Sequence, residues 1–343
     1  MSGGTVTGNT ASANENGNGV YVTCSEAFEK SGGMLRLSGS ASIDSSNNVS
    51  FEIPTRSTTA PISVTGELTG SALAALVRLS YESQWVNKSI VSFANEKIVN
   101  RDKFLLDSTD YAFSRSSTSL TIGTLSASDP VARVGDPQSG QGYTTLEEAV
   151  KSATDGQTIY ILRGSMISKP IEINKNLTIE PYGGNYTLAV ATGFDRTGYN
   201  NPAVFIINGG SLTLGNAAGA RLIIDGNGTV SNGISLISVI SGSYTQNAMV
   251  TLRNCNTTAN GGAIFLNNAG ASATICGGII ENTIGAGGAI YVGNGASLTM
   301  TGGELQNNTD RDGNSYGIYL SNSQSVLTLN GAVSLSDDIY TEA

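Results

Sequence analysis

A short phrase, apolar-Thr-apolar, keeps returning along this chain: LTIE at Leu177, LTLG at Leu212, VTLR at Val250, ATIC at Ala273, LTMT at Leu298 and LTLN at Leu327. The last four are roughly two dozen residues apart, a period expected of stacked supersecondary units. A second phrase interleaves with it: GGAIFLNN at Gly261, GGAIYVGN at Gly287 and YGIYLSNS at Tyr316. A third lies between, GGIIEN at Gly277 and GGELQNN at Gly302. Each apolar piece is too short for a helix. Period-2 alternation makes it a strand, with Ile290 and Val292 on one side and Tyr291 on the other. Leu298 and Met300 likewise point in, and Thr299 points out. The Gly and Asn residues between the pieces turn the chain.

One such unit cannot bury its apolar face, so units must stack as the coils of a solenoid. A buried Ile or Leu contributes about 1.5–3 kcal/mol, and several per coil must offset the ordering entropy. Alternation predicts that Ile264, Leu266, Ile275, Ile290, Val292, Leu298, Met300, Leu305, Ile318, Leu320, Leu327 and Leu329 are buried. The threonines of the repeated phrase, Thr178, Thr213, Thr251, Thr274, Thr299 and Thr328, are expected to face out. Ordinary β-propensity accounts for that column. An ice-binding surface would need paired ranks of Thr, and only one rank exists.

Composition narrows the chemistry. The chain has 343 residues, a formal charge of -9 and no histidine. Missing histidine excludes Ser-His-Asp and Cys-His catalysis and any His-containing zinc site. No clustered Lys and Arg offer a phosphate surface, so nucleic acid is not an expected partner. No apolar run reaches the roughly 20 residues of a membrane span. Cys24, Cys255 and Cys276 show no CxxC spacing. Three isolated small core residues are favoured over one bridge. Met1 opens on MSGGTVTGNT without a charged or apolar leader, and we read the chain as a fragment of a longer exported protein.

An open coil exposes strand edges that something must cover. YTTLEEAVKSATDGQTIYIL, from Tyr143, suits that task. Thr145 and Glu148 fit a capping box, and Leu146, Ala149, Val150 and Ala153 line one face of a helix over about 145–154. A strand over Thr158–Leu162 follows, then strands at Ile171–Ile173 and Leu177–Ile179. From about Tyr143 to Pro181 the chain resembles the start of a right-handed parallel β-helix of the pectin-lyase-like class. The later coils resemble bacterial surface adhesins, including polymorphic outer-membrane proteins. The matching residues are Gly261-Gly262-Ala263-Ile264, Gly287-Gly288-Ala289-Ile290, Ile279 to Asn282 and Leu305 to Asn308. The resemblance implies an all-β, right-handed parallel β-helix solenoid with a helix cap, located outside the cell or on a bacterial surface.

The two ends of the chain repeat each other. MSGGTVTGNT from Met1 aligns with MTGGELQNNT from Met300, GVYV at Gly19 with GIYL at Gly317, and LRLSGSASID from Leu35 with LTLNGAVSLS from Leu327. The short repeat thus sits inside a longer one of about 300 residues. Residues 1–54 are read as terminal coils of one β-helix, 55–130 as an inserted connector of antiparallel strands, and 131–343 as a second β-helix. This order resembles tandem surface repeats of host-associated bacteria.

Candidate sites are few. Tyr21, Phe265, Tyr291 and Tyr319 share one phase of the repeat and point outward. Stacked rings stabilise a sheet face; they also offer a platform for sugar rings or a protein partner. Asn308, Asp310 and Asp312 alternate like the start of a calcium loop, but the closing bidentate Glu is missing, position twelve being Tyr319. A solvated polar corner is the favoured reading there. Asp225, in IIDGNG, sits in an ordinary turn motif, and Glu281 and Glu304 differ in phase. No catalytic residue and no cofactor is expected. The sequence supports a non-enzymatic surface module, an adhesin or stalk, binding a glycan or a cell-surface protein and able to associate head to tail. The alternative is a polysaccharide-active enzyme, a lyase or glycoside hydrolase, which would need paired carboxylates in a groove.

Overall fold

A computed structural model shows an all-β chain with large, mostly parallel sheets. It describes residues 1–6, 20–23, 35–43, 49–52, 60–69, 75–79, 82–95, 104–106, 111–116, 118–124 and 130–342, except 183–184, 200–201, 217–219, 229, 232 and 267. The chain forms two compact units, Met1–Ser126 and Ala127–Ala343.

The second unit is built on three parallel ladders. The first stacks Thr158–Ile161, Asn176–Pro181, the later halves of Ala203–Leu214 and Ser235–Gln246, then Ala271–Ile275 and the early parts of Ser297–Gln306 and Val326–Leu335. The second stacks Ser165–Ile167, Tyr186–Val190, Leu222–Asp225, Val250–Arg253 and Ile279–Glu281, then the later parts of Ser297–Gln306 and Val326–Leu335. The third stacks Ile171–Ile173, the early halves of Ala203–Leu214 and Ser235–Gln246, then Ile264–Leu266, Ile290–Val292, Tyr316–Leu320 and Asp338–Thr341. From Thr158 to Thr341 the chain visits the three ladders in one cyclic order.

Identical phases lie opposite one another, so inward rows are continuous. Ile171, Phe205, Ile237, Ile264, Ile290 and Ile318 are successive partners and all are buried. All three ladders contribute to one hydrophobic core. Where Tyr244 enters that core its neighbour is Ala273, a large side chain beside a small one. The Tyr244 hydroxyl donates to Gln246 Oε1 at 3.2 Å, and Gln246 Nε2 donates to the Gly277 carbonyl at 3.0 Å. Both polar side chains are therefore satisfied, as burial demands. Asn227, Asn254, Asn282 and Asn307 take positive φ where the chain leaves the second ladder, a conformation Asn tolerates better than most residues.

The expected cap helix is present as Leu146–Ser152, with Thr145 Oγ1 accepting the Glu148 N–H at 3.2 Å. Leu146, Ala149 and Val150 are buried beneath it. At its far end the Lys175 ammonium donates to the Ala153 and Lys151 carbonyls, which would otherwise lack partners.

Several expectations need correction. Thr251 is buried and belongs to the second ladder, opposite Ile223 and Ile279. The outward row is Thr178, Thr213, Thr245, Thr274, Thr299 and Thr328. VTLR shares the phrase but not the ladder, because every ladder uses the same alternation. Cys276 is exposed and Cys255 buried, both free; Cys24 lies outside the described residues. Ile264, Leu266, Ile275, Ile290, Val292, Leu298, Met300, Leu305 and Ile318 are buried as expected. Leu320, although opposite Thr341, and Leu327 are only partly buried, and Leu329 is exposed; among the described residues no strand lies over Val326–Leu329.

In the first unit the connector is not simply antiparallel. Ile62–Leu68 pairs parallel with Leu35–Gly39 and with Ser89–Phe93. Ala75–Leu79 pairs parallel with Val49–Glu52 and with Phe104–Leu106. Among the described residues of this unit, antiparallel pairing is confined to Tyr111–Arg115, Ser119–Thr124 and Ser89–Phe93. A tight turn at Ser116 joins the first two, with the Ser116 N–H donating to the Ser119 carbonyl. Alternation identifies a strand but not its direction; the connection decides that. Trp85 is buried in this unit's own core.

The long sequence repeat has a structural counterpart. Thr5 and Val6 lie opposite Ser42 and Ile43, as Glu304 and Leu305 lie opposite Ser334 and Leu335. Val20 and Tyr21 lie opposite Val49 and Ser50, as Ile318 and Tyr319 lie opposite Ile339 and Tyr340. Gly39 and Gly331 both have positive φ. A Cβ on Gly39 would fall 2.2 Å from the Ser2 carbonyl oxygen, and one on Gly331 2.3 Å from that of Thr301.

Candidate functional site

The third ladder carries one outward row of paired residues: Phe265, Tyr291, Tyr319 and Tyr340. Flanking Ile264, Leu266, Ile290 and Val292 are buried, so alternation fixes the rings on the opposite face. Phe265 and Tyr291 have centroids 5.5 Å apart at a 55° tilt. Tyr291 and Tyr319 stack at 5.3 Å, and Tyr319 and Tyr340 at 4.9 Å. Tyr316 leans on Tyr340 at 5.1 Å. The result is a half-buried aromatic strip across four strands.

Three of the four expected aromatic residues are thus brought together. Tyr21 lies in the first unit, on Val20–Thr23, where its in-register partner is Ser50; its side chain lies outside the described residues. Tyr340 and Tyr316 were not anticipated. Tyr340 lacks the Gly lead-in of its counterparts, yet Ile339-Tyr340 copies the apolar-aromatic pair of Ile290-Tyr291 and Ile318-Tyr319. The Tyr319 hydroxyl donates to Glu342 Oε2 at 2.9 Å. Partial desolvation, then that carboxylate, push the Tyr319 phenol up to about 12.

Asn308, Asp310 and Asp312 serve the corner itself. The Asn308 Oδ1 accepts from the Thr283 N–H and hydroxyl, and its Nδ2 donates to the Ile280 carbonyl and Asp337 Oδ2. That uses the whole hydrogen-bonding capacity of the carboxamide. Asp310 accepts from the Asp312 N–H and from the Asn314 N–H and side chain. Burial works to raise the Asp310 carboxyl, but bonds from Asn314, Asp312 and Gly313 outweigh it and hold it below the usual value. Among the described residues no three acidic or sulfur side chains are placed to hold an ion together.

Asp225, Glu281 and Glu304 have no carboxylate as an in-register partner. Asp225 is fully buried, 2.7 Å from Arg253 Nε, and accepts from the Asn227 N–H and the Asn254 side chain. Glu281 faces Gln306, which donates to it, and Glu304 faces Ile279. Cys255 is buried beside Asp225, and burial, then that charge, push its thiol up to about 12; a thiol so held is unreactive.

No protein-family model, curated protein or solved structure matches this chain.

Proposed function

We propose that the chain is a piece of a tandemly repeated, non-enzymatic surface protein, an adhesin or stalk, whose ladders wind as a right-handed parallel β-helix solenoid of the pectin-lyase-like kind. The observation that carries this reading is the register shared by the two ends, Thr5 with Ser42 and Glu304 with Ser334. A chain that builds the same structural joint twice, about 300 residues apart, is organised to extend by addition. The cyclic visiting order of the three ladders supports the solenoid. The aromatic strip of Phe265, Tyr291, Tyr319 and Tyr340 is the contact surface for a glycan or cell-surface protein outside the bacterial cell.

Head-to-tail association belongs to the same reading. Leu329 is 44% exposed, whereas its counterpart Leu37 is 0% exposed beneath Val64. Ile339 is 39% exposed, whereas its counterpart Val49 is 0% exposed. The apolar last repeat accepts another strand pair, as its counterpart does. Incubation with neutral and uronate glycans tests the function: binding without cleavage, lost in Tyr291→Ala and Tyr319→Ala together, is expected. Chain cleavage abolished by replacing one surface carboxylate would overturn it. Light scattering over a concentration series tests the association, which a proline within Val326–Leu329 should reduce.

A further inference from the structure

Away from the aromatic strip, the second unit carries a groove of mixed character. One cavity of about 420 Å³ is lined by the polar Glu172, Asn174 and Tyr199 and the apolar Ile206 and Ile240. A neighbouring cavity of about 320 Å³ shares Glu172, Asn174 and Tyr199 and adds Glu147, Lys151, Lys169 and Lys175, the last with its ammonium already donating to the Lys151 and Ala153 carbonyls. Both volumes fall in the range of small-ligand sites.

Topology assembles these groups. Glu147 and Lys151 come from the cap helix, Glu172 from the third ladder, and Tyr199 from the segment between Tyr186–Val190 and Ala203–Leu214. Ile206 is the in-register partner of Glu172, so it stands on the outward face. It is nonetheless buried, an apolar surface among polar lining residues. Desolvation raises the Glu147 carboxyl above its ordinary value, with Lys169 opposing. Glu172 and Asp195 act on Tyr199, whose phenol is raised first by desolvation.

We propose that this groove binds an uncharged, hydroxyl-rich saccharide. A hydroxyl both donates and accepts. It therefore satisfies the carboxylates of Glu147 and Glu172 and the ammonium groups of Lys151 and Lys169 together. A polyanion meets the carboxylates of Glu147 and Glu172 there, and a polycation the ammonium groups of Lys151 and Lys169. Tyr199 and Ile206 supply the apolar surface that the C–H face of a sugar ring requires. The groove shares no residue with the aromatic strip, so the two readings stand or fall separately.

Saturation-transfer NMR on the full chain tests the proposal, with cellotetraose and mannotetraose as neutral probes and tetragalacturonate as the charged one. At least one neutral probe should bind, and more tightly than tetragalacturonate. Tyr199→Ala and Glu172→Gln should each weaken it by about tenfold or more, while Thr328→Ala, on an exposed strand elsewhere, leaves it unchanged. Amide dispersion in the variants confirms that they fold. The proposal fails if neither neutral probe binds, or if tetragalacturonate binds as well or better. It fails equally if binding survives Tyr199→Ala but is lost in Tyr319→Ala, which would move the saccharide to the aromatic strip.

Discussion

Tyr291 and Tyr319, partners on adjacent parallel strands, stack with ring planes only 13° apart. Tyr319 also stacks on Tyr340, so Tyr319→Ala removes two ring pairs at once. At about 0.5–1.5 kcal/mol per pair, the variant should lose about 1–3 kcal/mol in urea unfolding. Tyr319→Phe should retain most of it. An alanine variant as stable as the parent would mean that the rings are merely adjacent.

The Tyr319 phenol titrates late. Its folded value near 12 lies above the ordinary 10.0, so the folded chain keeps a proton that the unfolded chain has lost. The associated stability is complete below pH 10 and disappears as pH rises toward 12. Tyr199 and the buried Tyr244 are raised as well, so phenolate absorbance should lose one of several late tyrosines in Tyr319→Phe, and that one should move to lower pH in Glu342→Gln.

Inside the core, Tyr244→Phe leaves Gln246 Oε1 without the hydroxyl that now donates to it. An unsatisfied buried acceptor costs about 1–3 kcal/mol. Gln246→Leu should cost as much or more, because it also takes the Gln246 donor from the Gly277 carbonyl. A Tyr244→Phe variant as stable as the parent would mean that the hydroxyl bond contributes nothing.

Arg253→Met should destabilise by about 3–5 kcal/mol, since it removes the cation beside a fully buried carboxylate. Asp225→Asn with Arg253→Met should be milder than that single change. Equal losses would show that Arg253 contributes packing alone.

Gly331→Ala places a Cβ 2.3 Å from the Thr301 carbonyl oxygen at a residue with positive φ. Strain of about 1–3 kcal/mol follows, and hydrogen exchange of the Val326–Leu335 amides should accelerate. Alanine at Gly313, which also has positive φ but open space around it, should strain its own corner and leave those amides unchanged.

The sequence made the strands legible because alternation is local: Ile290, Tyr291 and Val292 needed no distant partner to be assigned their faces. It also exposed the cap helix through Thr145 and Leu146. Ladder membership was not legible. Thr251 and Thr245 sit in similar local patterns, and only the number of strands per turn of chain separates them. Pairing direction was hidden for Ile62–Leu68 because the connections around it fit either sense. The groove was hidden for a related reason. Glu147, Glu172 and Tyr199 lie on three segments with no shared phrase, and no periodicity relates them.

The cyclic order of the three ladders has a mechanical consequence. Interstrand hydrogen bonds run from each repeat to the next, so a pull that parts neighbouring repeats must break a strand pair in every ladder together. Tension is shared across the whole repeat before any bond yields. Lengthening under load should proceed in jumps of one repeat, each recruiting three short ladders whose pairs, taken singly, would give way at far lower force.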